Sequence, residues 1–189
     1  MHLSKLYKRL ILVLMVVGPI WWTMFTDDGR RRTDLAVLWL TGRPSVSLNL
    51  AALDDGWNEE QLRRALPDPE WSCLDRRSRW GERLCFTEVA GFNGTPARYL
   101  TLFFRDGRLS ALKLGYRRAY QERLEGQLSR LFSETEPEET GQVRQWRTDQ
   151  GVAILPRHPQ NQEEAVLFWL SRDELVRDRG ETRRSMRKL

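Results

Sequence analysis

Residue types that could do acid–base, metal or nucleophilic chemistry are few in this chain. It has two histidines, His2 and His158, and His158 falls in an expected loop between two prolines. Two separated histidines and two separated cysteines do not provide the ligand spacing of a zinc site. No G-x-S-x-G, Walker A or G-x-G-x-x-G sequence occurs. We therefore expect no catalytic residue, no cofactor and no bound metal.

The two cysteines, Cys73 and Cys85, bracket a short polar stretch at a spacing too wide for a CxxC motif. A disulfide between them would close a loop of 13 residues. It could contribute about 3 kcal/mol in an oxidising compartment. The alternative is two unrelated buried thiols, because free cysteine is often simply a core residue. We favour the disulfide, and with it a domain that lies outside the cytoplasm.

Residues 10–25, LILVLMVVGPIWWTMF, form the longest uncharged run, sixteen residues with basic side chains on both flanks. As a helix this run reaches about 24 Å, against a hydrocarbon core of about 30 Å. Snorkelling of the preceding basic side chains would add a turn. We expect one transmembrane helix that anchors the chain through Leu10, Val13, Val17, Trp21, Trp22 and Phe25. A cleaved secretory signal and a buried helix are the alternatives.

The positive charge of the chain is concentrated at its ends. Residues 1–32 carry a net charge of +4 and residues 171–189 carry +3, so the part between them is near −2. Nucleic-acid binders usually carry a basic stripe on the folded domain itself. We therefore expect no nucleic-acid partner. Basic ends are more typical of contact with a membrane surface.

Alternating apolar residues predict three antiparallel strands at 82–90, 97–105 and 108–116, with Asp106-Gly107 as a two-residue hairpin turn. Continuing that turn's register places Leu100, Leu102, Phe104 and Leu109 on one face. It places Tyr99, Phe103, Leu112 and Leu114 on the other. Both faces are apolar, so we expect each to be covered. The second set is the candidate partner surface.

Helix signals flank this hairpin. Asn58 and Gln61 predict a capping box, and residues 118–133 carry an apolar stripe at helical spacing. Strand patterns return at 142–147, 152–155 and 165–170, followed by a second cap at Ser171. These signals predict an α+β fold: the transmembrane helix, then an antiparallel sheet of about six strands packed by two or three helices. The order suggests two repeats of one helix and three strands.

The expected domain organisation follows from these boundaries. Residues 1–32 are the anchor with basic flanks, 33–56 connect it to a periplasmic α+β domain at 57–179, and 180–189 form a basic tail. The hairpin Phe104-Arg105-Asp106-Gly107-Arg108-Leu109, with its following amphipathic helix, resembles small bacterial envelope domains built of helix-plus-antiparallel-sheet repeats. These are the outer-membrane-assembly small lipoproteins and the β-lactamase-inhibitor-protein-like domains. The resemblance covers under a third of the chain and lacks the lipidated cysteine.

What the resemblance implies is a binding or assembly module of the cell envelope, and it assigns no functional residue. We expect a single-pass protein of the bacterial inner membrane whose periplasmic domain binds another envelope protein. One alternative is a domain that binds or processes glycans, which for hydrolysis would need two carboxylates in a cleft. The candidates for that pair are Asp75, Glu82 and Glu88. Another alternative is a structural accessory subunit of a membrane complex.

Overall fold

The chain forms two compact units, Met1–Gly42 and Arg43–Leu189. The structure is a computed structural model, and it describes residues 2–40, 42–54, 56–132, 137–158 and 165–177. The predicted basic tail at 180–189 lies outside the described residues.

The first unit consists of two helices, α1 (His2–Phe25) and α2 (Asp27–Leu40). Thr26 lies between them. Its Oγ1 donates a hydrogen bond to the carbonyl oxygen of Trp22 at 2.6 Å and accepts one from the backbone nitrogen of Gly29 at 3.1 Å. The same hydroxyl therefore satisfies a carbonyl at the end of α1 and an amide at the start of α2.

The predicted transmembrane helix is wrong. Among the residues that the structure describes, no helix is both long enough and apolar enough to cross a membrane. Although α1 has 24 residues, its uncharged part is the sixteen-residue run, and Lys5, Lys8 and Arg9 occupy its first turns. A span needs about 20 consecutive, predominantly apolar residues.

Over its described residues, the second unit is a mixed α+β fold built on one large sheet of ten strands. Its elements in chain order are β1 (Ser45–Val46), a 3₁₀ turn (Leu50–Ala52), α3 (Glu59–Ala65), β2 (Ser72–Ser78), β3 (Gly81–Glu88), β4 (Gly91–Phe92), β5 (Thr95–Arg105), β6 (Arg108–Tyr116), a 3₁₀ turn (Arg118–Tyr120), α4 (Gln121–Leu131), β7 (Glu138–Thr140), β8 (Val143–Arg147), β9 (Gly151–Pro156) and β10 (Ala165–Ser171). Residues 172–177 are helical. The α+β class agrees with the sequence, but the expected count of about six strands is wrong.

The sheet is two antiparallel halves joined side by side. The main order is β1-β4-β5-β6-β10-β9-β8-β7, with β3 also paired to β5 and β2 paired to β3. Every pair is antiparallel except β1 with β4. The halves meet where β6 pairs with β10, through six residue pairs from Tyr116 opposite Ala165 to Ala111 opposite Leu170. Helix α3 precedes β2 to β6, and helix α4 precedes β7 to β10. The sequence did not predict β2, β4 and β7; among the described residues, β2 pairs with β3 alone and β7 with β8 alone.

One face of the sheet carries the core. A row of directly opposed residues crosses seven strands on this face: Trp146, Ala153, Trp169, Leu112, Leu102, Cys85 and Cys73. Six of these seven are at most 2% exposed, and the edge residue Cys73 is partly buried. Leu62 of α3 and Leu124 and Leu128 of α4 belong to the same cluster. We call this the covered face.

Helix α4 is bonded to both halves of the sheet. The Tyr116 hydroxyl on β6 donates to the side-chain oxygen of Gln121, whose Nε2 donates to the carbonyl oxygen of Pro156 on β9 at 2.7 Å. Burial raises the pKa of Tyr116, so its hydroxyl stays protonated and remains a donor. At the next turn, Glu125 pairs with Arg144 of β8 at 2.9 Å. These bonds hold the helix across the join between the halves.

Both predicted helix caps are present. The Asn58 side chain accepts from the backbone nitrogen of Gln61 at 2.8 Å, and the Gln61 side chain accepts from that of Asn58 at 2.9 Å. This reciprocal pair is the predicted capping box. Ser171 Oγ accepts from the backbone nitrogen of Glu174 at 3.4 Å, a longer contact at the start of the last helical turn.

Replacing Gly81 should destabilise the second unit far more than replacing Gly126. Gly81 begins β3 with φ +156°, and an added Cβ would lie 2.2 Å from the carbonyl oxygen of Phe104. We expect Gly81→Ala to cost about 2 kcal/mol or more. Gly126 lies in the exposed middle of α4 with nothing within 4 Å of an added Cβ. We expect Gly126→Ala to be neutral or to stabilise by up to about 1 kcal/mol. Urea unfolding measures both, and equal effects would contradict the close packing at Gly81.

Candidate interaction surface

The second face of the sheet carries a band of aromatic and aliphatic side chains. Its central row of opposed residues crosses five strands, from Phe86 through Thr101, Lys113 and Phe168 to Ile154. The adjacent row is Leu84, Phe103, Ala111, Leu170 and Val152. These residues are not part of the core cluster to which α3 and α4 contribute. We call Trp80, Phe86, Tyr99, Phe103, Lys113 and Phe168 the aromatic face.

Trp80 reaches this face from the turn between β2 and β3. Its ring centroid is 5.1 Å from that of Phe103 and 5.0 Å from that of Phe168, so the indole links β5 to β10. Ser110 fixes the turn, because its hydroxyl lies within hydrogen-bonding distance of the carbonyl oxygens of Trp80 and Phe103. Trp80 and Phe168 remain partly exposed, whereas Phe103 beneath them is 6% exposed. The cluster is therefore pre-formed and presents ring surface to its surroundings.

The other end of the aromatic face is built on a glycine. The Tyr99 ring lies over Gly115, where an added Cβ would be 2.3 Å from the tyrosine Cε1. Phe86 packs beside this ring with centroids 5.8 Å apart. The Lys113 ammonium is 5.2 Å from the centroid of the same ring, within the range of a cation–π contact. The absence of a side chain at Gly115 thus leaves room for the Tyr99 ring, and that ring in turn contacts the ammonium group of Lys113.

Of the four residues predicted as a partner surface, two lie on this face. Tyr99 and Phe103 are there, but Leu112 and Leu114 lie on the covered face, 0% and 1% exposed. The turn at Asp106-Gly107 is the predicted one, with positive φ at both residues and Phe104 opposite Leu109. The register then shifts, so that Leu102 faces Leu112 and not Ala111. A bulge exchanges the faces of all later residues on the strand.

The predicted disulfide between Cys73 and Cys85 is present and joins directly opposed residues of β2 and β3. The Glu59 carboxylate and the two sulfurs lie within 4.8 Å of one another, a group that could bind a metal ion only after reduction. Glu59 is instead paired with Arg83 at 2.6 Å and with Arg63 at 3.0 Å. The Arg83 guanidinium, followed by that of Arg63, lowers the pKa of Glu59 against the opposing effect of burial. This network fixes α3 to the bridged hairpin.

A groove of about 530 Å³ lies between α4 and the segment that follows β1. Leu48, Leu50, Leu124 and Leu128 are among the residues that line it. The Asn93 side-chain amide in this groove is already bonded to both backbone groups of Leu48, and the Asn93 backbone carbonyl accepts from Gln127 of α4. The groove therefore offers few directional contacts to a ligand, and the aromatic face is the stronger candidate.

The remaining predicted residues are spread over the molecule. Val13, Val17, Trp21, Trp22 and Phe25 are exposed on α1, and the side chain of Leu10 lies outside what the structure describes. The three carboxylates of the glycan hypothesis each have a partner. Asp75 pairs with Arg83, Glu88 pairs with Arg43, and Glu82 accepts from the backbone nitrogen of Asp106.

Sequence reasoning missed Trp80, Phe86, Phe168 and Lys113 as members of one surface. Strand pairing brings these residues together: β3 pairs with β5 and places Phe86 beside Thr101, and β6 pairs with β10 and places Phe168 beside Lys113. For Lys113 a signal was present, because it is the only lysine between Lys8 and Lys188 in an arginine-rich chain. Lysine carries a compact point charge on a flexible stem, a different group from the planar guanidinium of arginine.

Comparison with known proteins does not assign a family. No family model matches the chain, and no curated protein matches it. Among solved structures, it is similar to an extracellular protein containing an SCP domain from Bacillus anthracis str. Ames, with a TM-score of 0.30 and 10% identity. That alignment covers 67% of this chain, which spans 46% of the length of the other protein. A likeness at this TM-score carries no argument about fold or function.

The Glu59 network should make a pH-dependent contribution to stability. We expect Glu59→Gln to lower the free energy of unfolding at pH 7 by about 1 kcal/mol, because Arg63 loses its ion pair with Glu59 and Arg83 keeps only the one with Asp75. The folded-state pKa lies below the ordinary value of 4.5. The contribution is therefore fully present above that value and is lost as the pH falls through the folded-state pKa. The difference between wild type and variant should shrink accordingly in urea titrations below pH 4.5.

Glu60→Gln is the matched control, because Glu60 pairs only with Arg64 on the exposed side of the same helix. The Glu60→Gln substitution should change the free energy of unfolding by no more than about 0.5 kcal/mol. A pH-independent loss in Glu59→Gln, or an equal loss in the control, would contradict the role of the ion pair.

Proposed function

We propose that the second unit is an interaction module of the bacterial cell envelope that binds another protein through the aromatic face. The observation that carries this proposal is the two-sided apolar sheet. Helices α3 and α4 contribute to the core on one face, while the opposite face presents Trp80, Phe86, Tyr99 and Phe168, all partly exposed. Sheets in compact domains bury their apolar faces against another layer, and a partner protein would supply that layer here.

The disulfide supports a location outside the cytoplasm. Disulfides persist in oxidising compartments such as the periplasm and are rare in the cytosol. The bond between Cys73 and Cys85 lies on the covered face and closes the hairpin that carries Trp80 and Phe86. A periplasmic location would give the module access to other envelope proteins. The resemblance of the β5–β6 hairpin to small envelope binding domains favours the same function.

Photo-cross-linking in cells that make the protein would test this function. A photoreactive phenylalanine derivative at Phe86 or Phe168 should give one dominant adduct, because both rings lie on the aromatic face. The same derivative at Ser129, which is exposed on α4, is the control. We expect the adduct from the two face positions and not from Ser129. Absence of an adduct at both face positions, or the same adduct from the control, would refute the proposal.

A second proposed partner is a lipid surface, which would contact α1. Five consecutive residues of this helix, Leu12 to Val16, are 55–73% exposed. Because successive residues of a helix are 100° apart, such a run presents apolar side chains in all directions. A helix that is apolar on all sides is normally covered. The net charge of +4 on residues 1–32 would add attraction to anionic headgroups.

Flotation with phosphatidylethanolamine–phosphatidylglycerol vesicles tests this contact. The full chain should float with the vesicles, and Val13→Glu/Leu14→Glu should reduce the floating fraction at least several-fold, since a charged side chain loses solvation when it enters the apolar part of the membrane surface. Leu74→Glu is the control, because Leu74 is an exposed apolar residue of the second unit. It should float like wild type. A full chain that stays at the bottom of the gradient would refute the contact.

A further inference from the structure

Lys113 occupies the middle of the aromatic face. It lies directly opposite Thr101 on β5 and Phe168 on β10. One strand further on each side are Phe86 and Ile154, so the charged group is the third of these five residues. The row continues to Ser72 at one end and to Gln145 and Glu138 at the other. At about 4.8 Å between strands, the five-residue part of the row is about 19 Å wide. A charge in the centre of an apolar surface costs free energy when that surface is covered, unless it is paired.

The described part of the chain does not supply a carboxylate for this ammonium group. Its contact is the Tyr99 ring. The acidic residues of the same face lie toward its margins and are already engaged: Glu88 pairs with Arg43 at 2.7 Å, and Glu138 pairs with Arg147 at 2.9 Å. Glu82 accepts the backbone N–H of Asp106. In the complex proposed below, the partner supplies the negative charge that compensates Lys113.

The geometry of the face also selects the form of the partner. The backbone groups of β3, β5, β6, β10 and β9 are engaged in the ladders of the sheet, so an extended peptide gains no backbone hydrogen bonds on the face. A helix satisfies its own backbone groups and can place an apolar stripe on aromatic rings. A helix of about 13 residues is about 19 Å long and matches the width of the five-residue part of the row.

Resting on the proposed function, we propose that the aromatic face binds an amphipathic helix that carries one acidic residue in the middle of its apolar stripe. The carboxylate pairs with Lys113, and the apolar residues around it pack on Trp80, Phe86 and Phe168. The pair excludes water because the rings surround it. Lys113 then selects among amphipathic helices, and the rings provide the apolar contact area.

The test uses the full chain and three synthetic 18-residue helical peptides of leucine and glutamine. They are identical except at the centre of the apolar stripe, which holds Glu, Gln or Lys. Isothermal titration calorimetry should show that wild type binds the Glu peptide about tenfold more tightly than the Gln peptide, the factor expected for one buried charge pair. Lys113→Met should bind these two equally, and Lys113→Glu should prefer the Lys peptide. Phe168→Ala should weaken binding of every peptide.

Each other outcome has a defined meaning. Equal affinity of wild type for the Glu and Gln peptides, with weaker binding by Phe168→Ala, would overturn the selection by Lys113 and leave the proposed function standing. Binding that Phe168→Ala does not change would refute the aromatic face as the site. No binding of any peptide, with the face-specific cross-link retained, would show that the partner is not such a helix. Self-association that blocks the peptides, seen by sedimentation, would assign the face to a second copy and overturn the proposal.

Discussion

The pairing of β6 with β10 is the interaction on which the rest of the second unit depends. It joins two antiparallel halves, each preceded by a helix, into one sheet through six residue pairs. Without it, Trp169 would not lie beside Leu112 on the covered face, and Phe168 would not lie beside Lys113 on the other. One strand pair therefore completes both the core and the candidate site. Helix α4 reinforces the join, because Gln121 bonds to Tyr116 of one half and to Pro156 of the other.

The two-layer arrangement creates an asymmetry between the faces. Helices α3 and α4 both contribute to the core on the covered face, where the row from Trp146 to Cys85 is at most 2% exposed. The opposite side also carries large side chains across its strands, but Phe86, Tyr99 and Phe168 remain partly exposed there. Trp80 covers part of this side, because the turn that carries it is bonded to Ser110 and its ring lies over Phe103. A free-standing domain could have covered this side with polar residues, as half-solvated sheets usually do.

Much of the fold follows from local sequence pattern. The capping box at Asn58 and the turn at Asp106-Gly107 are determined by neighbouring residues, and both are present. Of the strands that escaped prediction, β2 (SCLDRRS) and β7 (EET) are mostly exposed and have little apolar alternation. Their pairing depends on the adjacent strand and, for β2, on the disulfide. The transmembrane prediction was wrong because it relied on snorkelling basic side chains to lengthen a sixteen-residue uncharged run that is itself shorter than a span.

The candidate site was harder to predict than the fold, and the reason is the one extra residue, Ser110, that forms a bulge in β6. An ideal two-residue hairpin would put Leu112 and Leu114 beside Tyr99 and Phe103, and Lys113 would then face the core. The bulge at Ser110 exchanges these faces, so the leucines enter the core and Lys113 moves to the aromatic face. The lysine would be intolerable in the core, whereas the leucines complete it. The side-chain pattern of β6 thus requires the bulge, and the bulge places the charge where a partner can reach it.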